Sequence, residues 1–245
     1  MANLCIFQLC CGLMLVASAI GQRQDARPEF GAELPSRVGD DSKKAATLWP
    51  SGRVPNRISS SIMDRTKSRL IDQVMRDIES QTCIKFVNAR NEDSYINIQP
   101  DIAACSAQIG VQAAATQVMI ADACWTYETV AHLILHALGL DHENNRADRD
   151  QYVEINMDNL RGLKQRKFNK LSAGQYPVLD TPYDYTSLMH AAPNNVDGTA
   201  KGPRDWTIRS TKNKNQELGN SRISQGDYRK LNKLYRCKNE ERQGR

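Results

Sequence analysis

Hydrophobic residues at Leu70, Ile71, Val74, Met75 and Ile78 recur at helical spacing, so residues 61–80 predict an amphipathic helix. Short β-rich runs follow at 83–87, 95–99 and 116–121. A second helix is predicted at about 127–138, with Gly139 placed where a helix ends on a left-handed residue. Beyond residue 145 the pattern becomes loop-rich until a short helix near 224–236. Helix, strands, helix and then an irregular half predict one α+β domain with two lobes.

The amino-terminal region follows a different pattern. The run LCIFQLCCGLMLVA precedes the small-residue site Ala17-Ser18-Ala19, with Ala19-Ile20-Gly21 as a second option. Residues 1–21 therefore read as a signal peptide, and the protein as secreted and extracellular. A membrane anchor competes with that reading, because no Lys or Arg precedes the run, but the run is short for a span. Residues 22–48 are polar and punctuated by Gly and Pro. The expected division is a pro-segment at 22–45, a domain at 46–237 and a charged tail at 238–245.

Composition narrows the function classes. A chain of 245 residues can bury a sizeable core. Its 33 basic and 28 acidic residues give a net charge of +5, spread along the chain without interleaved aromatics. That describes a solvated, mildly basic surface, so neither nucleic acid nor membrane is expected as a partner. Cys5, Cys10 and Cys11 fall in the signal. Cys83, Cys105, Cys124 and Cys237 remain, an even set that in a secreted chain favours two disulfides, with all three connectivities open.

The candidate chemistry lies in VAHLILHALGLDHE. Three of the four histidines fall at His132-x-x-x-His136-x-x-Gly139-x-x-His142. Histidines four apart share one face of a helix. The third requires the chain to turn back, which Gly139 permits. Three imidazoles with an open fourth position are a catalytic-type Zn2+ arrangement. The competing reading, ordinary buried histidines, does not account for the glycine and the third histidine together. The residue after His132 is Leu133, which can neither take nor give a proton. General acid–base catalysis contributes about 10²–10⁴-fold, so efficient turnover is not expected.

The run HLILHALGLDHENNRADRDQYVEI resembles the astacin family of secreted zinc metalloendopeptidases, of the metzincin type, whose pattern is HExxHxxGxxHExxRxDRDxYV. His132, His136, Gly139, His142, Glu143, Arg146, Asp148, Arg149, Asp150, Tyr152 and Val153 match it, and the resemblance covers about residues 49–237. It implies a two-lobed catalytic domain with an active-site helix, a twisted sheet in the N-terminal lobe and a Met-turn in the irregular C-terminal lobe. LWPSGRVP resembles the family's mature N-terminal strand. PYDYTSLMHA resembles the Met-turn, with Met189 beneath the metal, and ISQGDYRKLNKLYRC resembles the last helix. The resemblance further implies disulfides Cys83–Cys237 and Cys105–Cys124. It gives Glu143 a role in anchoring the mature amino terminus, and places the substrate-pairing edge strand at Thr116–Ala121. Arg146, Asp148 and Asp150 read as a structural ion-pair network rather than as substrate contacts.

Three departures concern catalysis or its control. Leu133 stands at the general-base position. Ala191 stands where the family has a tyrosine that ligates zinc and stabilises the oxyanion. Phe30-Gly31-Ala32-Glu33-Leu34 replaces the latency motif Phe-x-Gly-Asp, leaving Glu33 as the candidate latency ligand. No catalytic residue is intact. The expectation is a divergent member, a pseudoprotease that binds zinc and extended peptide or protein segments in its cleft, with an active relative or an extracellular protein as further partners. The alternative is an active zinc-dependent endopeptidase, performing proteolysis with a rerouted base such as Glu128 or Glu33. A secreted module that has lost zinc is opposed by the intact ligands.

Overall fold

The computed structural model describes residues 46–160, 168–175, 180–193 and 206–238. The signal at 1–21, the pro-segment at 22–45 with Glu33, and most of the charged tail lie outside the described residues.

Five strands form the main sheet: β1 (Arg53–Ile58), β2 (Lys85–Asn88), β3 (Ile96–Asp101), β4 (Cys105–Ala107) and β5 (Thr116–Ala121). Their order is β2-β1-β3-β5-β4. All neighbours are parallel except β4, which runs antiparallel to β5. Strand alternation sorts the residues of β3 and β5 between two faces. Ile96, Ile98, Val118 and Ile120 are buried in the core. Asn97, Gln99, Gln117 and Met119 form a hydrogen-bonded ladder on the opposite face.

Helix α1 (Arg65–Gln81) buries Ile71, Val74, Met75 and Ile78. It begins at Arg65 rather than at residue 61 because the Asp64 side chain accepts from the Thr66 amide and caps it. Helix α2 (Tyr127–Ala137) is capped by Thr126, and every residue from Thr129 to Ala137 is buried. This all-round burial matches a sequence that is apolar apart from Thr129 and the two histidines. Helix α3 (Gln225–Leu234) starts with a capping box between Ser224 and Asp227.

The strand expected to form the substrate-pairing edge does not do so. Thr116–Ala121 is interior, with β3 on one side and β4 on the other. The edge strand beside it is β4, whose three residues are too few to show periodicity. Ala121 donates to Ala104 O and Gln108 donates to Gln117 O, so the even-numbered residues of this stretch face β5. The peptide groups of Cys105 and Ala107 consequently point away from the sheet.

The other lobe holds a two-stranded antiparallel sheet, β6 (Val153–Ile155) with β7 (Ile208–Ser210). Val153, Leu160, Phe168, Tyr183, Ile208 and Leu218 form its own apolar cluster. Disulfides join Cys83 to Cys237 and Cys105 to Cys124, with Cα separations of 5.3 and 6.3 Å.

Candidate metal centre

Helix α2 supplies two histidines from one face and then stops on a defined turn. Gly139 adopts φ +100°. Its amide donates to His136 O, and the Leu140 amide donates to Leu135 O, the paired bonds of a Schellman motif. The reversal returns His142 to the helix face. A Cβ at Gly139 would lie 2.9 Å from Leu48 Cδ2, so space as well as φ selects glycine there.

The three imidazoles converge. His142 Nε2 lies 3.2 Å from His132 Nε2 and 3.3 Å from His136 Nε2. Tetrahedral zinc with Zn–N bonds of about 2.0–2.1 Å separates its nitrogen ligands by about 3.3–3.4 Å. His136 Nδ1 faces Leu140 O at 2.8 Å, and His132 Nδ1 faces Leu188 O at 3.3 Å. A carbonyl only accepts, so the proton of each ring sits on Nδ1 and the Nε2 lone pair is left for a metal. The residues present therefore fit zinc. Among the described residues this group contains no carboxylate.

The chemistry around the metal is apolar where a base would stand. Leu133, next to His132, is 1% exposed and belongs to the main core cluster together with Met189. Ala191 packs against the second cluster, and its amide donates to Asn144 Oδ1 at 3.0 Å. Its neighbour His190 stands apart from the three ligands. His190 is buried between Tyr183 OH at 2.8 Å from Nε2 and Ala191 O at 2.7 Å from Nδ1. Burial pushes its pKa down to about 4.

Glu143, directly after His142, is fully buried. Its Oε1 accepts from the Asp184 amide at 2.8 Å and from Arg146 at 3.2 Å. Its Oε2 lies 2.7 Å from Lys230 Nζ. Arg146 also grips both carboxylate oxygens of Asp148, at 2.8 and 2.9 Å. Asp150 pairs with Arg149 and Lys170. Lys230 and Asp227 escaped sequence reasoning. Their available signal was a helix whose core-spaced positions, Asp227, Lys230, Leu231 and Leu234, include two charges.

Comparison with known proteins agrees with this geometry. The profile of the astacin peptidase family matches residues 41–236. Zinc metalloproteinase nas-4 of Caenorhabditis elegans is 31% identical over 214 residues, which cover 86% of this chain and 66% of that protein. Zinc metalloproteinase nas-13 of the same organism is 35% identical over 191 residues, 77% of this chain and 41% of the relative. Human tolloid-like protein 2 is 30% identical over 204 residues, 80% of this chain and 19% of its own. The chain thus spans 19–66% of the length of these three relatives. The structure of high choriolytic enzyme 1, a hatching enzyme zinc-protease from Oryzias latipes, superposes with a TM-score of 0.69 at 28% identity, over 82% of this chain and 98% of that one. The sheet, the helix-borne histidines and the profile give one answer: the chain belongs to the astacin family, with zinc as the metal of its three-histidine centre.

Proposed function

We propose that this protein is a secreted pseudoprotease of the astacin family, which holds zinc and extended peptide segments without cutting them efficiently. One observation carries the reading. Leu133 occupies the position beside His132 where an HExxH protease has its proton-transferring glutamate, and it is buried in apolar core. Zinc, when bound, supplies Lewis acidity and lowers the pKa of a coordinated water to about 7. This chain has to position a substrate and move a proton, and neither Leu133 nor Ala191 can move one. Two carboxylates flank His142 in sequence: Asp141 accepts from the His142 amide, and Glu143 is committed to Arg146, Lys230 and the Asp184 amide.

The outward peptide groups of Cys105 and Ala107 on β4 suit main-chain pairing with an extended peptide, from an active relative or another extracellular protein. All three β4 residues are buried, so a peptide has to open that edge to reach it. The signal-like run at 1–21 and the two disulfides support an oxidising, extracellular setting. No helix among the described residues is long and apolar enough to cross a membrane. Glu33, as a weakened latency ligand, would then have little activity to restrain.

Zinc analysis of the purified mature protein, combined with a general peptidase assay, tests the proposal. The expected result is stoichiometric zinc and no chelator-sensitive cleavage. Chelator-sensitive cleavage by the unmodified protein would establish the active-endopeptidase alternative instead. Leu133→Glu combined with Ala191→Tyr is expected to gain activity on the retained scaffold.

A further inference from the structure

Behind the histidines lies a set of buried charges that zinc ligation leaves unexplained. Asp227, in the first turn of α3, is fully buried. One of its oxygens accepts from Ser187 Oγ at 2.5 Å; the other accepts from the amides of Leu188 at 2.8 Å and Ser224 at 3.0 Å. Capping α3 needs only the Ser224 contacts. The Leu188 contact reaches further, because the same residue presents its carbonyl to Nδ1 of His132. A single residue therefore links the carboxylate to a ligand ring.

One turn along α3, Lys230 is 1% exposed with its ammonium 2.7 Å from Glu143 Oε2. Glu143 is bonded to His142 in the chain, and its amide donates to Met189 O at 3.0 Å. Helix α3 thus touches the Ser187–His190 turn through Asp227 and the His142 loop through Lys230. Buried ion pairs give little net stability over apolar replacements, so their placement against the metal-bearing segments asks for another role.

We propose that Asp227 and Lys230 are positioning residues of the metal centre, Asp227 acting on His132 through Leu188 and Lys230 acting on the His142 loop through Glu143. The proposal rests on the three-histidine centre holding zinc. Partners of metal ligands fix ring orientation, and their loss weakens metal binding by about 10–100-fold. Helix α3 also carries the chain to Cys237, whose disulfide with Cys83 ties this positioning element to the first lobe.

The test is zinc affinity, measured by chelator competition on the full disulfide-bonded protein, with the d–d spectrum of the cobalt-substituted form as a second readout. Asp227→Asn and Lys230→Met should each bind zinc about 10–100-fold more weakly and distort the cobalt spectrum. Ser224→Ala, which removes the N-cap oxygen but leaves the Leu188 contact, should lower thermal stability and keep wild-type zinc affinity. Folded Asp227→Asn and Lys230→Met proteins with wild-type affinity and spectrum would overturn the positioning role while leaving the zinc site standing. Absence of zinc from the wild-type protein would overturn both. Should either variant fail to fold, hydrogen exchange on the wild type decides. Coupling is reciprocal, so zinc must slow exchange of the Leu188 amide and the α3 amides. Zinc-independent exchange there would refute the proposal.

Discussion

Lys230 Nζ stands 2.7 Å from Glu143 Oε2, and both side chains are almost wholly removed from solvent. Removing the ammonium leaves part of a buried carboxylate uncompensated. Lys230→Met is therefore expected to cost about 3–5 kcal/mol. The solvent-accessible Arg53–Glu92 pair offers the contrast, since water screens it and Arg53→Ala should cost far less. Denaturant unfolding of both variants checks this; similar losses would mean that burial does not set the cost.

Gly139→Ala forces a side chain into a left-handed conformation and against Leu48. Destabilisation of about 1–3 kcal/mol is expected. Because the same turn returns His142 to the helix, zinc affinity should fall as well. Calorimetric titration of the variant with zinc reads the second effect separately from the first.

His190 imposes a pH dependence. The unfolded chain takes up a proton as pH falls through about 6.5, whereas the folded protein resists until about 4. Stability from this group is therefore complete above the unfolded value and drains away between the two. Thermal unfolding at about pH 7.5 and about pH 4.5 should show a larger loss for the wild type than for His190→Gln. Equal losses would remove His190 as the cause.

The Cys83–Cys237 disulfide closes a loop with a sequence separation of 154. By chain entropy such a cross-link stabilises by up to about 5 kcal/mol. The Cys83→Ser, Cys237→Ser double variant should unfold at markedly lower denaturant than the wild type. Cys105→Ser with Cys124→Ser, which opens a separation of only 19, should lose less. A reversed order would show that native contacts rather than loop length dominate.

The metal site was legible because its information is local. The spacing of His132 and His136, and a glycine at the helix end, determine geometry within a few turns of chain. α1 was legible from period alone, although its start required the Asp64 cap. The position of Thr116–Ala121 inside the sheet was not, since a β-rich run does not state how many neighbours it has. β4, β6 and β7 are three residues each and leave no periodic trace. Lys230 was hidden because a helical lysine ordinarily reads as solvated; only its partner, far back in the chain at Glu143, shows that it is core.

The stretch from Ala46 to Trp49 runs against both Gly110 and Gly139. Thr47 O accepts from the Val111 amide, and the Trp49 indole donates to Ala137 O, each at 2.8 Å. A Cβ on Gly110 would overlap Thr47 O. This ribbon fastens the loop after β4 to the end of the metal-bearing helix. Removing Thr47 through Trp49 would take a wedge from between two segments shaped around it, and the Val111 amide and Ala137 carbonyl would lose these partners. The loop before β5 and the end of α2 are therefore held in register by a segment of four residues that belongs to neither of them.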